Sequence, residues 1–375
     1  MSNIKELIES IFLTGVKKVY LFFIKLLLSV ELILFKKKML HTESYYPEYS
    51  DNTKRPFNQV IEMLHDIWKD GSINKFYYLY GFDIKNLNNR NDFVLNRTFI
   101  VARNRLNNNG VNSPVAILRD KPLFGLFLNA LNVPSPENIG IVEDGVVYYN
   151  DRQVSLDSFL SQFEGDCFFK IVDGECGADI LHVITEDGSI HYKGAIIPLD
   201  EFRAILGQGR FLIQRTLKQH DAINKIFPKA INTLRIVTVY NKETKGIEVL
   251  SAVLRVGTGN NNVDNWAAGG LSIGIDVNKG TLRTYGFYKP GYGMKVKIHP
   301  DTNLVFDGYQ IPFFEDAVGI VKRLHFYLKN VHSIGWDVAI TPQGPCVIEG
   351  NDNWELSLMQ ACNGGVKKEF DLLFK

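Results

Sequence analysis

Only four cysteines (Cys167, Cys176, Cys346 and Cys362) occur in 375 residues, and none stands in a Cys-x-x-Cys pair. That argues against a zinc ribbon or a dense disulfide framework and fits reduced thiols in the cytoplasm. A basic excess is missing too: 42 Lys and Arg against 41 Asp and Glu leave a net charge of +1, with no long basic block. A nucleic-acid partner, which needs concentrated phosphate neutralisation, is therefore not expected. No repeat of fixed period is visible. Nor is there an uncharged apolar run of the roughly 20 residues that a spanning helix requires. The nearest approach, Val19 to Phe35, is broken by Lys25 and Glu31, and no small-residue cleavage site follows it. Neither a spanning helix nor a removed signal peptide is expected.

What is present is a globular composition, 45% hydrophobic, long enough for two to three lobes around large cores. The N-terminal stretch between Lys17-Lys18 and Lys36-Lys37-Lys38 reads as a helix on which Lys18, Lys25 and Lys36 form a narrow basic stripe. Such a helix can lie in the plane of a membrane with snorkelling lysines, giving peripheral contact through residues 10–38, or dock on the core or in a dimer interface. A polar linker with Pro47 follows. The expected organisation is an N-terminal helix and linker over 1–50 and a mainly helical region over 51–115. A small lobe over 116–215 and a large lobe over 216–375 complete it.

Helices are expected at Pro56–Asp70, Asp92–Leu106, Lys121–Leu131, for about eight residues from Leu156, and at Glu315–Asn330. Strands are expected at 139–142, 146–149, 167–172, 181–185, 211–215, 233–240, 248–256 and 271–277. Runs of strands with few helices between them indicate an α+β fold with antiparallel sheets rather than a doubly wound one.

The most informative stretch pairs Ile334–Ile340 with Cys346–Asn351 across Pro342-Gln343-Gly344-Pro345, a β-hairpin pattern. Centred on Gln343, the hairpin sets Asp337 opposite Glu349, with Asn351 on the face of Glu349. Three oxygen-bearing side chains then converge, as a hard cation requires, unless they form a polar strand end facing solvent. Lys170 closes an apolar strand ahead of the glycine loop 173–178, an arrangement that can surround phosphate oxygens and is weak alone. Arg119-Asp120-Lys121 heads the preceding helix. Arg235 and Arg255 lie inside apolar strands and need an anion, either a ligand or a buried carboxylate. The Asn/Gly-rich connection 257–270 can approach a ligand or be a plain flexible loop.

In order, these elements resemble the ATP-grasp superfamily over roughly Asp120 to Asn351, and more narrowly its sugar-transfer-associated group. Gln219-His220, Asn232-Thr233-Leu234-Arg235, Gly269-Gly270, Gly335-Trp336-Asp337 and Glu349-Gly350-Asn351 carry that narrower likeness. The resemblance implies a helical N-terminal region followed by two α+β lobes gripping ATP. It implies nucleotide contacts at Lys121, Lys170, Gly174, Gly177, Gln214, Arg215, Leu217 and His220, although a capping or core role also suits His220. Gln214 stands where the family more often has glutamate, in a hinge that meets adenine through its backbone. Arg235, Arg255, Asn265, Gly269 and Gly270 are implied on the phosphate and substrate side, as in peptide-forming glutamate ligases. Asp337, Glu349 and Asn351 are implied as ligands of Mg²⁺ or Mn²⁺. Many amino-acid ligases place arginine where this chain has Gly335, so Arg235 or Arg255 is expected to supply that charge.

The activity so implied is an ATP-dependent carboxylate–amine ligase forming an amide through an acyl phosphate. Its substrates would be a small carboxylate and an amine, one of them sugar-linked, in bacterial surface-polysaccharide assembly at or near the inner face of the membrane. A sugar or metabolite kinase, or a non-catalytic ATP-binding scaffold, uses the same residues. Neither the substrates nor the oligomeric state can be read from the sequence.

Overall fold

The structure is a computed structural model that describes residues 2–107, 114–172, 180–260 and 263–374. It divides into two compact units. The first comprises Met1–Arg105, Phe287–Val296 and Glu355–Lys375; the second comprises Leu106–Gly286 and Lys297–Trp354.

The first unit opens with helix α1 (Ser2–Met39), whose backbone leaves helical geometry at Phe35. Helix α2 (Pro56–Asp70) follows. Pro56 starts it, where a missing N–H costs nothing, and Gly71, in the left-handed region at φ 75°, ends it. Helix α3 is Asn96–Asn107, four residues later at its start than expected, because Arg90–Asp92 forms a separate 3₁₀ turn capped by Asn89. Tyr77, Tyr80, Phe82 and Phe93 pack edge-on and tilted in a buried cluster. Gln360, far along the chain, fixes this cluster by exchanging side-chain hydrogen bonds with both backbone groups of Val94.

The second unit begins with short helix α4 (Val115–Arg119) and α5 (Lys121–Ala130), capped by the Asp120 carboxylate on Leu123 N–H. Its first sheet holds β1 (Asn138–Glu143), β2 (Val146–Tyr149), β3 (Arg152–Ser155) and β4 (Gly165–Ile171). It continues with β5 (Ile180–Glu186), β6 (Ser189–Tyr192), β7 (Ala195–Ile197) and β8 (Phe211–Arg215). The order is β3-β2-β1-β8-β4-β5-β6-β7, antiparallel at each junction. Four of its turns are two-residue loops with both residues at positive φ: Asp144-Gly145, Asn150-Asp151, Asp187-Gly188 and Lys193-Gly194. This turn geometry matches the strand twist and produces the meander. β3, β6 and β7 were not expected from the sequence, nor was the helix α7 (Leu199–Leu206) that packs with α6 (Leu156–Gln162). Together α6 and α7 cover one face of the sheet around Phe159, Phe169, Phe202 and Ile213. The opposite face carries Phe168, Lys170, His182 and Gln214.

The second sheet of this unit contains β9 (Thr233–Asn241), β10 (Gly246–Val256), β11 (Leu271–Asp276) and β12 (Thr281–Tyr288), the last running on into the first unit. After β13 (Lys295–Val296), a two-residue strand of the first unit, come β14 (Ser333–Thr341) and β15 (Gly344–Asn351). Within the second unit the order is β12-β11-β10-β9-β14-β15. Helix α8 (Asp221–Asn224) precedes β9, and α9 (Phe314–Tyr327) packs on β9, β10, β14 and β15. The first unit ends in α10 (Leu356–Asn363) and α11 (Lys367–Leu373).

A buried polar relay ties α9 to this sheet. Trp336 donates its indole N–H to Thr238 Oγ1 at 2.7 Å. The Thr238 hydroxyl lies 2.6 Å from His325 Nδ1, and His325 Nε2 lies 2.8 Å from Val331 O. A carbonyl only accepts, so Nε2 carries a proton, and the Thr238 hydroxyl, which accepts from Trp336, donates its own proton to Nδ1 of a neutral ring. Burial pushes the His325 pKa down to about 4. Because the unfolded chain binds that proton near pH 6.5, the stabilisation is complete above 6.5 and is lost as pH falls towards about 4. The full effect is roughly 3 kcal/mol. Urea unfolding across that window is expected to show a wild-type slope that His325→Gln removes. Equal slopes would mean that the histidine is not held neutral.

Candidate functional site

The hairpin β14/β15 sets Asp337 opposite Glu349 and Gly335 opposite Asn351. The route to that register differs from the expectation. The turn is only Pro342-Gln343, with Thr341 paired to Gly344, which displaces the hairpin centre by half a residue. A register shift between Asp337 and Val338 restores the pairing, an extra residue entering β15 at Ile348. On the other side β14 pairs with β9, Asp337 facing Arg235, and β9 pairs with β10, Arg235 facing Val253. Arg235, Asp337 and Glu349 thus form one lateral row across three strands.

Arg235 grips Asp337 with its fork, Nε to Oδ1 at 2.5 Å and Nη2 to Oδ2 at 2.9 Å. Arg255, two rows along β10, reaches the same carboxylate at 3.3 Å and Asp264 at 3.1 Å. Asp264 also accepts from the Thr233 backbone N–H at 2.9 Å and from the Thr233 hydroxyl. Burial alone would push the Asp337 carboxyl up, but the two guanidinium groups overcome it and hold the group well below the usual carboxylate range. Asp264 moves the other way: burial outweighs Arg255 and raises it. Burial and then the Asp337 charge raise Glu349. Asn351 donates to Glu349 Oε1 at 3.1 Å.

Lys170 on the first sheet faces this cluster. Burial lowers its pKa, opposed by the charges of Glu349 and Asp337, while the neighbouring Lys121 adds to the lowering. Its ammonium donates to Gln214 Oε1 at 2.7 Å, and Gln214 in turn donates to Asn138. Lys121 Nζ donates to the carbonyls of Ile171 and Val172 at 2.9 and 3.2 Å, at the end of β4. Two lysines, two arginines and three carboxylates of one unit thus come from both sheets, from α5 and from the 257–270 connection.

A comparison with known families matches residues 103–370 to the sugar-transfer associated ATP-grasp family. The chain belongs to that family. Its fold is accordingly α+β of the ATP-grasp kind, with the helical N-terminal region preceding the sheets. No curated protein matches the chain. Among solved structures it is similar to an N5-carboxyaminoimidazole ribonucleotide synthetase crystallised with ADP. Identity is 9% and TM-score 0.40, over 65% of this chain and 47% of that one. The D-alanine–D-alanine ligase of Helicobacter pylori shows 12% identity and TM-score 0.40, over 69% and 61%. A RimK domain ATP-grasp protein of Sphaerobacter thermophilus shows 12% and 0.35, over 69% of each chain. The chain spans about half the length of the first of these.

Members of the ATP-grasp superfamily use ATP with a divalent metal, and the donor set at the hairpin fits such an ion. Asp337 is buried and Glu349 stands half-buried opposite it, Glu349 is raised by desolvation and by its neighbour's charge, and the pair therefore needs a proton or a cation between its oxygens. With the Asn351 amide the set is all oxygen, which suits Mg²⁺ or Mn²⁺.

Other expected residues take less direct places. Gly174 and Gly177 lie outside the described residues. Arg215 points away from Lys170 and Gln214, since side chains alternate on β8. It pairs with Glu137 at 2.6 Å and lies over the Phe163 ring. The Arg215 and Thr216 backbone N–H groups donate to Glu137 O and Asp166 O, and Leu217 follows half-buried. His220 caps α8, its Nδ1 accepting from Ala222 N–H at 3.0 Å. Arg119 holds Asp352 in a bidentate pair. The 257–270 connection contains a short 3₁₀ turn, Trp266–Ala268, capped by the Asn265 side chain and closed by Gly269 at φ 92°. A Cβ at Gly270 would stand 2.7 Å from Asp264 O, so only glycine lets the loop deliver Asp264 to Arg255. The pairing of Asp264 with a strand arginine leaves no local signal in the sequence.

Proposed function

We propose that this protein is an ATP-dependent carboxylate–amine ligase. The carrying observation is the row Arg235, Asp337 and Glu349, with Arg255 and Lys170 turned onto the same carboxylates. Lys121 and Lys170 meet the phosphates of ATP, and the small-lobe hinge at Gln214 to Leu217 takes the base. Asp337, Glu349 and Asn351 would hold a divalent ion, which when bound would supply positive charge against the phosphates. The γ-phosphoryl group passes to the substrate carboxylate, giving ADP and an acyl phosphate. An amine then attacks the carbonyl carbon, a proton leaves the nitrogen, and inorganic phosphate departs. Arg235 and Arg255 with the Asn265–Gly270 loop receive the negative charge that gathers on the acyl oxygens, where fixed donors contribute most.

The family's sugar-transfer association supports a substrate attached to a sugar and a role in bacterial surface-polysaccharide assembly. ATP as substrate and the buried thiols Cys167 and Cys346, which form no disulfide among the described residues, support a cytoplasmic reaction. The test is mass spectrometry of products after incubation with Mg²⁺-ATP and a panel of amino acids, uronic acids and amino sugars. An amide plus inorganic phosphate is the expected result. A phosphorylated acceptor without phosphate release would make the protein a kinase, and no ATP consumption with any acceptor would leave a binding protein.

A further inference from the structure

Helix α1 wears its polarity inside out. Every residue exposed between Val19 and Phe35 is apolar, including Tyr20 at 67%, Phe23 at 61%, Leu27 at 59% and Leu34 at 65%. Of the polar residues of the stretch, Lys25 and Ser29 turn inward, while Glu31 is half-buried. Lys25 donates to Trp68 O at 2.6 Å, at the C-terminal end of α2 where the helix dipole favours a cation. Ser29 is buried and bonds back to Lys25 O, and Lys36 reaches Gln59 at 3.2 Å and the Tyr78 ring. Two of the three stripe lysines therefore secure α1 to its own unit and do not reach outward, contrary to the snorkelling expectation. Exposed Phe57, Ile61 and Trp68 of α2 extend the apolar surface, with Trp68 edge-on to Phe22 at 5.6 Å. An apolar face of this breadth needs an occupant.

Charge selects it. In the sequence Lys17-Lys18 precede the face and Lys37-Lys38 follow Lys36, which is itself turned onto Gln59, so the chain is basic at both ends of the face. A second copy laid antiparallel would set the first cluster against the last; laid parallel, it would set each against itself. Both arrangements stack like charges. A bilayer surface offers hydrocarbon to the middle and anionic headgroups to both ends. Among the described residues no helix is long and apolar enough to cross a membrane. We propose that the outward face of α1, with the adjoining edge of α2, lies in the surface of an anionic lipid bilayer.

The full chain with vesicles of phosphatidylcholine, alone or mixed with phosphatidylglycerol, tests this by co-sedimentation and tryptophan fluorescence. Trp266, Trp336 and Trp354 are buried, so a vesicle-dependent blue shift reports Trp68. Binding to the anionic vesicles is expected, and Phe23→Asp and Leu27→Asp should each lower the partition at least about tenfold with unchanged circular dichroism. Lys17→Gln with Lys18→Gln, which touches no packed surface, should lower it about tenfold for anionic vesicles only. Absence of vesicle binding overturns the proposal, as does equal binding to neutral vesicles. So does a lipid-free dimer, seen by sedimentation equilibrium, that Phe23→Asp dissociates.

Discussion

Asp337→Asn is expected to abolish ATP turnover and to destabilise the fold together, whereas Glu349→Gln abolishes turnover alone. The two carboxylates face each other across one hairpin, but their surroundings differ. Asp337 is buried and neutralises a bidentate Arg235 and a second guanidinium, whose side chains are only 12% and 16% exposed. Removing one member of such a set leaves uncompensated buried charge and costs on the order of 3–5 kcal/mol. Glu349 has no arginine bonded to it; it is raised by burial and by Asp337 itself. Its amide replacement therefore relieves a like charge, and stability without metal should stay within about 0.5 kcal/mol or rise. In the proposed ligase both variants would lose a ligand to the divalent ion, so turnover should fall about a thousandfold or more in each. Urea unfolding in chelator and ADP release separate the two effects. Normal ADP release by both variants would remove the ion from this hairpin.

That contrast also marks how far the sequence could be read. Alternation and a turn signal were enough to oppose Asp337 to Glu349, although the half-residue error in the turn was cancelled by a bulge that nothing in the sequence announced. Arg235 and Arg255 were recognisable as strand arginines in need of anions. That the anions are resident ones, Asp337 and Asp264, depends on which strands become neighbours, and β9 meets β14 only after about a hundred intervening residues. The small-lobe meander was more legible than it was read: Asp144-Gly145 and Asp187-Gly188 are the dipeptides that favour two-residue hairpins, and they bound β2 and β6. The wheel of α1 revealed a lysine stripe but not its direction. Which face turns inward is decided by the surface the helix meets, here α2, and not by its own periodicity.

Gly335→Arg, which installs the residue that many amino-acid ligases carry at this place, is expected to destabilise the protein by about 3 kcal/mol or more, beyond the roughly 1–3 kcal/mol expected for Gly335→Ala. The reason is space. A Cβ at position 335 would stand 2.7 Å from Trp354 Cβ and 3.3 Å from Arg235 Cδ. Trp354 cannot withdraw, because its ring is buried and its indole N–H donates to Ser333 Oγ at 3.1 Å. Arg235 cannot withdraw without releasing Asp337. The stem of Arg235 therefore runs over the place where an arginine at 335 would begin. In the proposed ligase its guanidinium would supply that charge from the neighbouring strand, and the acid substrate should be read by Arg235 together with Arg255. Urea unfolding of both variants, beside Arg235→Lys as a control that shortens the fork without entering the gap, checks the argument. A Gly335→Arg protein as stable as wild type would show that the space above β14 is open and that the missing arginine has another cause.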